Sequence, residues 1–134
     1  MRQLVIAYLA TAVVIVALDL LWLGVIAKKF YQNGIGHLMA EKPNVMVAVV
    51  FYLVYAWGIV IFAVRADPEP GWIHALLVGA MFGFFAYATY DLTNLATLRK
   101  WPWWLSLADI AWGTLVSGVA AGAGKWALDR FARS

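Results

Sequence analysis

The sequence predicts an all-α membrane protein: a four-transmembrane-helix bundle with both termini on the same side, readable as two tandem helical hairpins. Three observations predict it. Hydrophobic residues make up 65% of the 134-residue chain and charged residues only 13%, with a mean hydropathy of +0.81. A soluble domain is about half apolar and a quarter charged, so the excess apolar surface belongs in lipid. The apolar residues also fall into four runs, each of about 20 residues or more, the length that crosses a hydrocarbon core of roughly 30 Å. Finally, the basic residues sit at the ends of those runs, where loops meet headgroups.

The first run extends from about residue 4 to 27 and closes on Lys28 and Lys29. Arg2 followed by apolar residues imitates a signal peptide, but the length, the internal Asp19 and the lack of a small-residue cleavage site favour a retained helix. The second run, about 45–64, is entered through Pro43, which suits a first helical turn. "RADPEPGW" supplies a short turn, and the third run covers about 72–98. "RKWPWW" makes the next turn before the fourth run, about 103–127, and "KWALDRFARS" forms an amphipathic or frayed end. The whole chain, 1–134, reads as one transmembrane domain.

An even number of spans puts both termini on one side, here side A. Side A carries Arg2, Arg65, Lys125, Arg130 and Arg133; side B carries Lys28, Lys29, Lys42, Arg99 and Lys100. With the basic residues tied, the positive-inside rule does not set the orientation. The longest loop, Lys28 to Asn44, mixes Phe30, Tyr31, Ile35, Leu38 and Met39 with polar residues. It fits either a short amphipathic segment lying over the side B mouth or an ordinary turn in which Gly34 or Gly36 terminates the first helix.

A faint repeat runs through the chain. "DLLWLGVIAKKF" in the first span is similar to "DLTNLATLRKW" in the third, and "AWG" occurs at Ala56 to Gly58 and again at Ala111 to Gly113. Duplication of a hairpin would give this order, as would chance in a composition rich in Ala, Leu and Trp.

The polar residues carry most of the functional information. Glu41, Asp67, Glu69 and Asp129 fall in loops or the tail, whereas Asp19, Asp91 and Asp109 lie inside spans. Each would cost roughly 2.5 to 3.5 kcal/mol at a helix centre, which makes buried carboxyls functional candidates. Counting helical rise from the side B ends places all three about 9 to 14 Å deep, and Tyr52 and Tyr55 about 10 to 15 Å deep. One layer therefore collects Asp19, Trp22, Tyr52, Tyr55, Tyr90, Asp91, Asn94, Asp109 and Trp112 as pocket candidates. No basic residue is predicted at that depth, so the carboxyls must share protons and hydrogen bonds with these neighbours or meet a cation from outside. Polar residues also fasten membrane helices, at about 0.6 to 2 kcal/mol per hydrogen bond, and that reading needs no ligand.

Gly79 and Gly83 form a GxxxG in the third span, and Gly113 and Ser117 keep one face of the fourth slim; close helix packing follows, within the chain or across a homodimer. Trp72, Trp101, Trp103 and Trp104 mark the interfaces. The absence of cysteine removes thiolate and Fe–S chemistry. No phosphate loop, HExxH, GxSxG or paired histidine is present, so no cofactor and no metal are expected, and the basic net charge of +3 reads as membrane-surface charge rather than nucleic-acid binding.

"FYLVYAWG" (Phe51 to Gly58), "GFFAYATYDLTNLATLRKW" (Gly83 to Trp101) and "DIAWG" (Asp109 to Gly113), with "DLLWL" and "YQNGIGHLM", resemble the DUF2177 family of small bacterial integral membrane proteins. The resemblance covers nearly the whole chain. It implies a multi-pass protein of the bacterial inner membrane and carries no assigned activity. Three functions then compete: binding or proton-coupled transport of a small cationic or amphipathic ligand, with aromatic rings adding cation–π contacts; a lipid- or isoprenoid-modifying enzyme using carboxyl acid/base chemistry; and a non-catalytic accessory subunit. Membrane lipids are partners in all three.

Overall fold

The computed structural model describes residues 1–66 and 68–132. Asp67, assigned above to the second loop, and Arg133, counted on side A, lie outside the described residues. Among the described residues there is no strand, and four helices are long and apolar enough to cross a membrane: Arg2–Ile26, Val45–Val64, Trp72–Thr97 and Trp103–Phe131. In detail, α1 (Arg2–Leu21) runs on into a π-helical turn, Trp22–Ile26. A short α2 (Lys28–Ile35) and a 3-10 turn (Gly36–Leu38) follow. Next come α3 (Val45–Ile59) with a π turn at Val60–Val64, α4 (Trp72–Thr97), and α5 (Trp103–Ala127) with a π turn at Leu128–Ala132.

Local chemistry explains several boundaries. The Asn44 side chain caps α3 by accepting from the Val47 N–H at 3.2 Å. Pro43 therefore lies before the cap and outside the first turn, where its position in the sequence had suggested it. Gly71 precedes α4 at φ 131, a conformation that glycine alone adopts without strain, and its N–H donates to Asp129 Oδ2 at 2.9 Å. This bond, with Arg2 Nη2 donating to the Phe131 carbonyl at 3.3 Å, holds the N-terminus, the α3–α4 turn and the C-terminal turn together on side A.

The centre of the bundle is α5: 56% of its most apolar window is buried inside the protein, against 22% for each of the other three spans. Its small residues make that possible. A Cβ at Gly79 would run into Ala121 and the Ser117 carbonyl, and one at Gly83 into the Gly113 carbonyl and Ser117, so α4 and α5 touch backbone to backbone. Such contact maximises dispersion between helices that lipid would otherwise solvate equally well. On its other side α5 packs on α1, where Gly124 abuts Thr11 and Ala7. The α1–α3 hairpin is looser, tied by Tyr8 Oη donating to the Leu53 carbonyl at 2.9 Å. The two hairpins are thus unequal, and so are the two AWG motifs: Trp57 is 42% exposed on the outer surface while Trp112 turns inward.

One feature departs from the expectations above. Lys125, counted as a side A surface charge, is fully buried, with Nζ 3.4 Å from the Val64 carbonyl. The α3 π turn presents that carbonyl to α5. In the first loop the structure has the amphipathic segment rather than a plain turn: α2 buries Tyr31 and Gly34 and leaves Lys28, Lys29, Gln32 and Asn33 exposed.

Candidate functional site: a buried carboxyl and aromatic layer

Asp19, Asp91 and Asp109 are all buried, with exposures of 3%, 0% and 8%. Helical period accounts for each. On α4, Ala75, Gly79, Gly83 and Asp91 are buried at multiples of four, a stripe that also contains Tyr87. On α5, Asp109 continues the buried line of Gly113 and Ser117.

The three carboxyls are held differently. Asp19 accepts from Tyr52 Oη at 2.8 Å (Oδ2) and from Trp112 Nε1 at 2.7 Å (Oδ1), so α3 and α5 both supply donors to an α1 carboxylate. Asp109 Oδ1 accepts from Tyr31 Oη at 2.5 Å, and that phenol oxygen accepts in turn from Trp22 Nε1 at 3.1 Å. The indoles of Trp22 and Trp112 stack at 4.5 Å and 7°. One connected set therefore runs from Tyr52 through Asp19, Trp112, Trp22 and Tyr31 to Asp109.

Asp91 stands apart. Neither of its oxygens has a hydrogen-bond partner among the described residues, although both are buried. The charge that bears on it is Asp109, close enough for the two to share a hydrogen bond once either carries a proton. Leaving a buried polar group unmatched costs about 1 to 3 kcal/mol, and more for a charge. Its backbone is better served, since the Asp91 carbonyl accepts from Ser106 Oγ at 3.1 Å and Ser106 accepts from Trp101 Nε1 at 2.9 Å.

The other candidates occupy various surroundings. Tyr55 sits deeper, sharing a 2.6 Å hydrogen bond with Ser117. Tyr90 is 53% exposed and meets Trp101 edge to face, outside the buried layer. It is offset by one residue, about 100°, from Asp91, so one helix cannot turn both inward. Asn94 is half-buried near the side B end of α4. Gly113 receives the ring of Tyr87, whose phenol is in electrostatic reach of Asp19, Asp109, Tyr52 and Tyr55.

Sequence reasoning missed Tyr31, which belongs to the extramembrane loop by hydropathy yet reaches the carboxyl layer. The apolar spacing of Phe30, Tyr31 and Ile35 was the available signal. Burial and the Asp109 contact push its phenol above the usual tyrosine range. The π turn at Trp22–Ile26, closed by Ala27 N–H donating to the Trp22 carbonyl at 2.7 Å, ends α1 directly before α2. Such turns recur at functional sites. Among the described residues no group of His, Cys, Asp or Glu has the geometry to hold a metal ion.

A bundle of four membrane-crossing helices around a buried carboxyl and aromatic layer defines an integral membrane protein. Residues 4–126 match the family described as "Predicted membrane protein (DUF2177)", and the chain belongs to that family. Over 57 residues it is also 32% identical to a "Fluoride-specific ion channel FluC" of Solibacter usitatus (strain Ellin6076), a match covering 42% of this chain and 46% of that protein. The match thus spans about half the length of that relative. No solved structure matches.

Proposed function

We propose that this protein is a membrane transporter of the bacterial inner membrane, in which the Asp91–Asp109 pair takes up a proton in exchange for a small cationic or amphipathic ligand. The observation that carries this reading is the unmatched carboxyl of Asp91, buried at 0% exposure beside a second carboxyl. Asp19 is met by two donors, whereas Asp91 gains a hydrogen bond only when it or Asp109 carries a proton. Two carboxyls at one site favour a shared proton or an incoming cation, because two uncompensated negative charges repel in a low dielectric. The partial likeness to an ion channel adds to the transport reading over the enzymatic and accessory ones.

Purified protein in liposomes containing a pH-sensitive dye, given tetraphenylphosphonium as the cationic probe, tests the proposal. Wild type is expected to move protons when the probe is added, and Asp91→Asn to abolish that movement. Fluoride is the second probe, chosen because of the partial match. Fluoride release that is indifferent to Asp91→Asn, with no probe-dependent proton movement, would overturn the exchange mechanism.

A further inference from the structure

From the position of Tyr31 we infer that α2 is the side B cover of the carboxyl pair and that the Tyr31 hydroxyl is the latch holding it shut. The inference rests on the proposed site, since a cover has a function only if the pair beneath it exchanges with water.

Five features place α2 in this role. It lies outside the spans, yet through Tyr31 it makes a direct hydrogen bond to Asp109. It docks through one small apolar cluster, Tyr31 with Ala27, Trp101 and Leu105, with Trp22, Phe30 and Ile35 at the edge. A Cβ at Gly34 would come within 3.0 to 3.2 Å of Trp104, Leu105 and Pro102, so a larger residue would make those side chains give way or lift α2. Its opposite face carries Lys28, Lys29, Gln32 and Asn33, exposed to water and headgroups. The connection to α1 passes through Ala27 at φ -109, ψ 11, a break in helical geometry that lets α2 swing without unwinding α1.

All three carboxyls are buried in this state, and none of them lines either of two apolar grooves on the bundle. One, of about 530 Å³, is lined by residues such as Tyr8, Leu53 and Trp57; the other, about 270 Å³, lies between Trp72 and Trp126. Access from side B therefore requires something to move, and α2 is a covering element that lies outside the spans and touches the pair through Tyr31. Tyr31 acts through Asp109 and is a positioning residue.

The chain has no cysteine, so a single introduced thiol reports access cleanly. Leu105→Cys, placed under α2, would be labelled with a water-soluble thiol reagent in detergent micelles, alone and combined with Tyr31→Phe, which removes the hydroxyl and keeps the ring. Loss of one charge-assisted hydrogen bond is expected to raise the labelling rate on the order of tenfold. Gly34→Leu, which wedges α2 away while Tyr31 is intact, should raise it as well. Unchanged labelling in both backgrounds would overturn the cover; acceleration by Gly34→Leu alone would overturn the latch. The readout needs no transport, so its failure is distinct from failure of the exchange reading.

Discussion

Trp112 Nε1 on α5 donates to Asp19 Oδ1 on α1 at 2.7 Å, and Tyr52 on α3 completes the same carboxylate from the other side at 2.8 Å. A side chain costly to place in lipid thereby joins three helices. Trp112→Phe keeps a ring to stack on Trp22 but removes a donor, and is expected to cost about 1 to 3 kcal/mol. Tyr52→Phe should cost a similar amount. Because both donors serve one acceptor, the double variant should depart from additivity, as measured by denaturant unfolding in micelles.

Asp91 and Asp19 should respond in opposite ways to the same substitution. Asp19→Asn turns an amide N–H₂ toward a donor and is expected to lower stability by about 1 to 3 kcal/mol. Asp91→Asn replaces the proton shared with Asp109 by a permanent N–H₂ donor and should leave stability unchanged or raise it by about 1 kcal/mol. A matched pair of unfolding curves decides this, and a large loss for Asp91→Asn would mean that the carboxyl has a fastening role.

Gly113 lies against the ring of Tyr87, and a Cβ there would overlap it. Gly113→Ala is therefore expected to destabilise by about 1 to 3 kcal/mol through overpacking and to push Tyr87 out of the carboxyl layer. Gly24, with nothing near its Cβ position, supplies the control: Gly24→Ala should be neutral or slightly stabilising.

The raised proton affinity of Tyr31 makes α2 docking alkali-sensitive. A phenol whose folded-state affinity exceeds its unfolded value contributes stability that is full below the ordinary tyrosine pKa, about 10, and declines as pH rises beyond it. Labelling of Leu105→Cys at constant thiolate fraction, or emission from Trp101 and Trp104, should thus hold steady to about pH 10 and then report undocking. Tyr31→Phe should remove that pH dependence.

Apolar run length and punctuation set the spans to within a few residues, because lipid thickness leaves little choice for a helix that must bury its backbone polar groups. Counting rise per residue predicts one depth for Asp19, Asp91 and Asp109, and all three are buried. Azimuth was harder to read. Tyr90 and Asp91 are equally compatible with an inward position by sequence, and packing of the Gly79 and Gly83 face against α5 decided that Asp91 turns inward. The burial of Lys125 was illegible for a related reason: end-of-helix position suggests exposure, whereas small neighbours on α5 let α3 close over it.

By itself the sequence determined a four-span membrane protein and singled out three carboxyls inside its spans, since hydropathy and helical rise are local properties of the chain. Only the tertiary structure decided that Asp19 is satisfied, that Asp91 is not, and that Tyr31 reaches Asp109 from outside the spans. Those facts depend on which groups from distant segments meet, and hydrogen-bond satisfaction is a property of pairs.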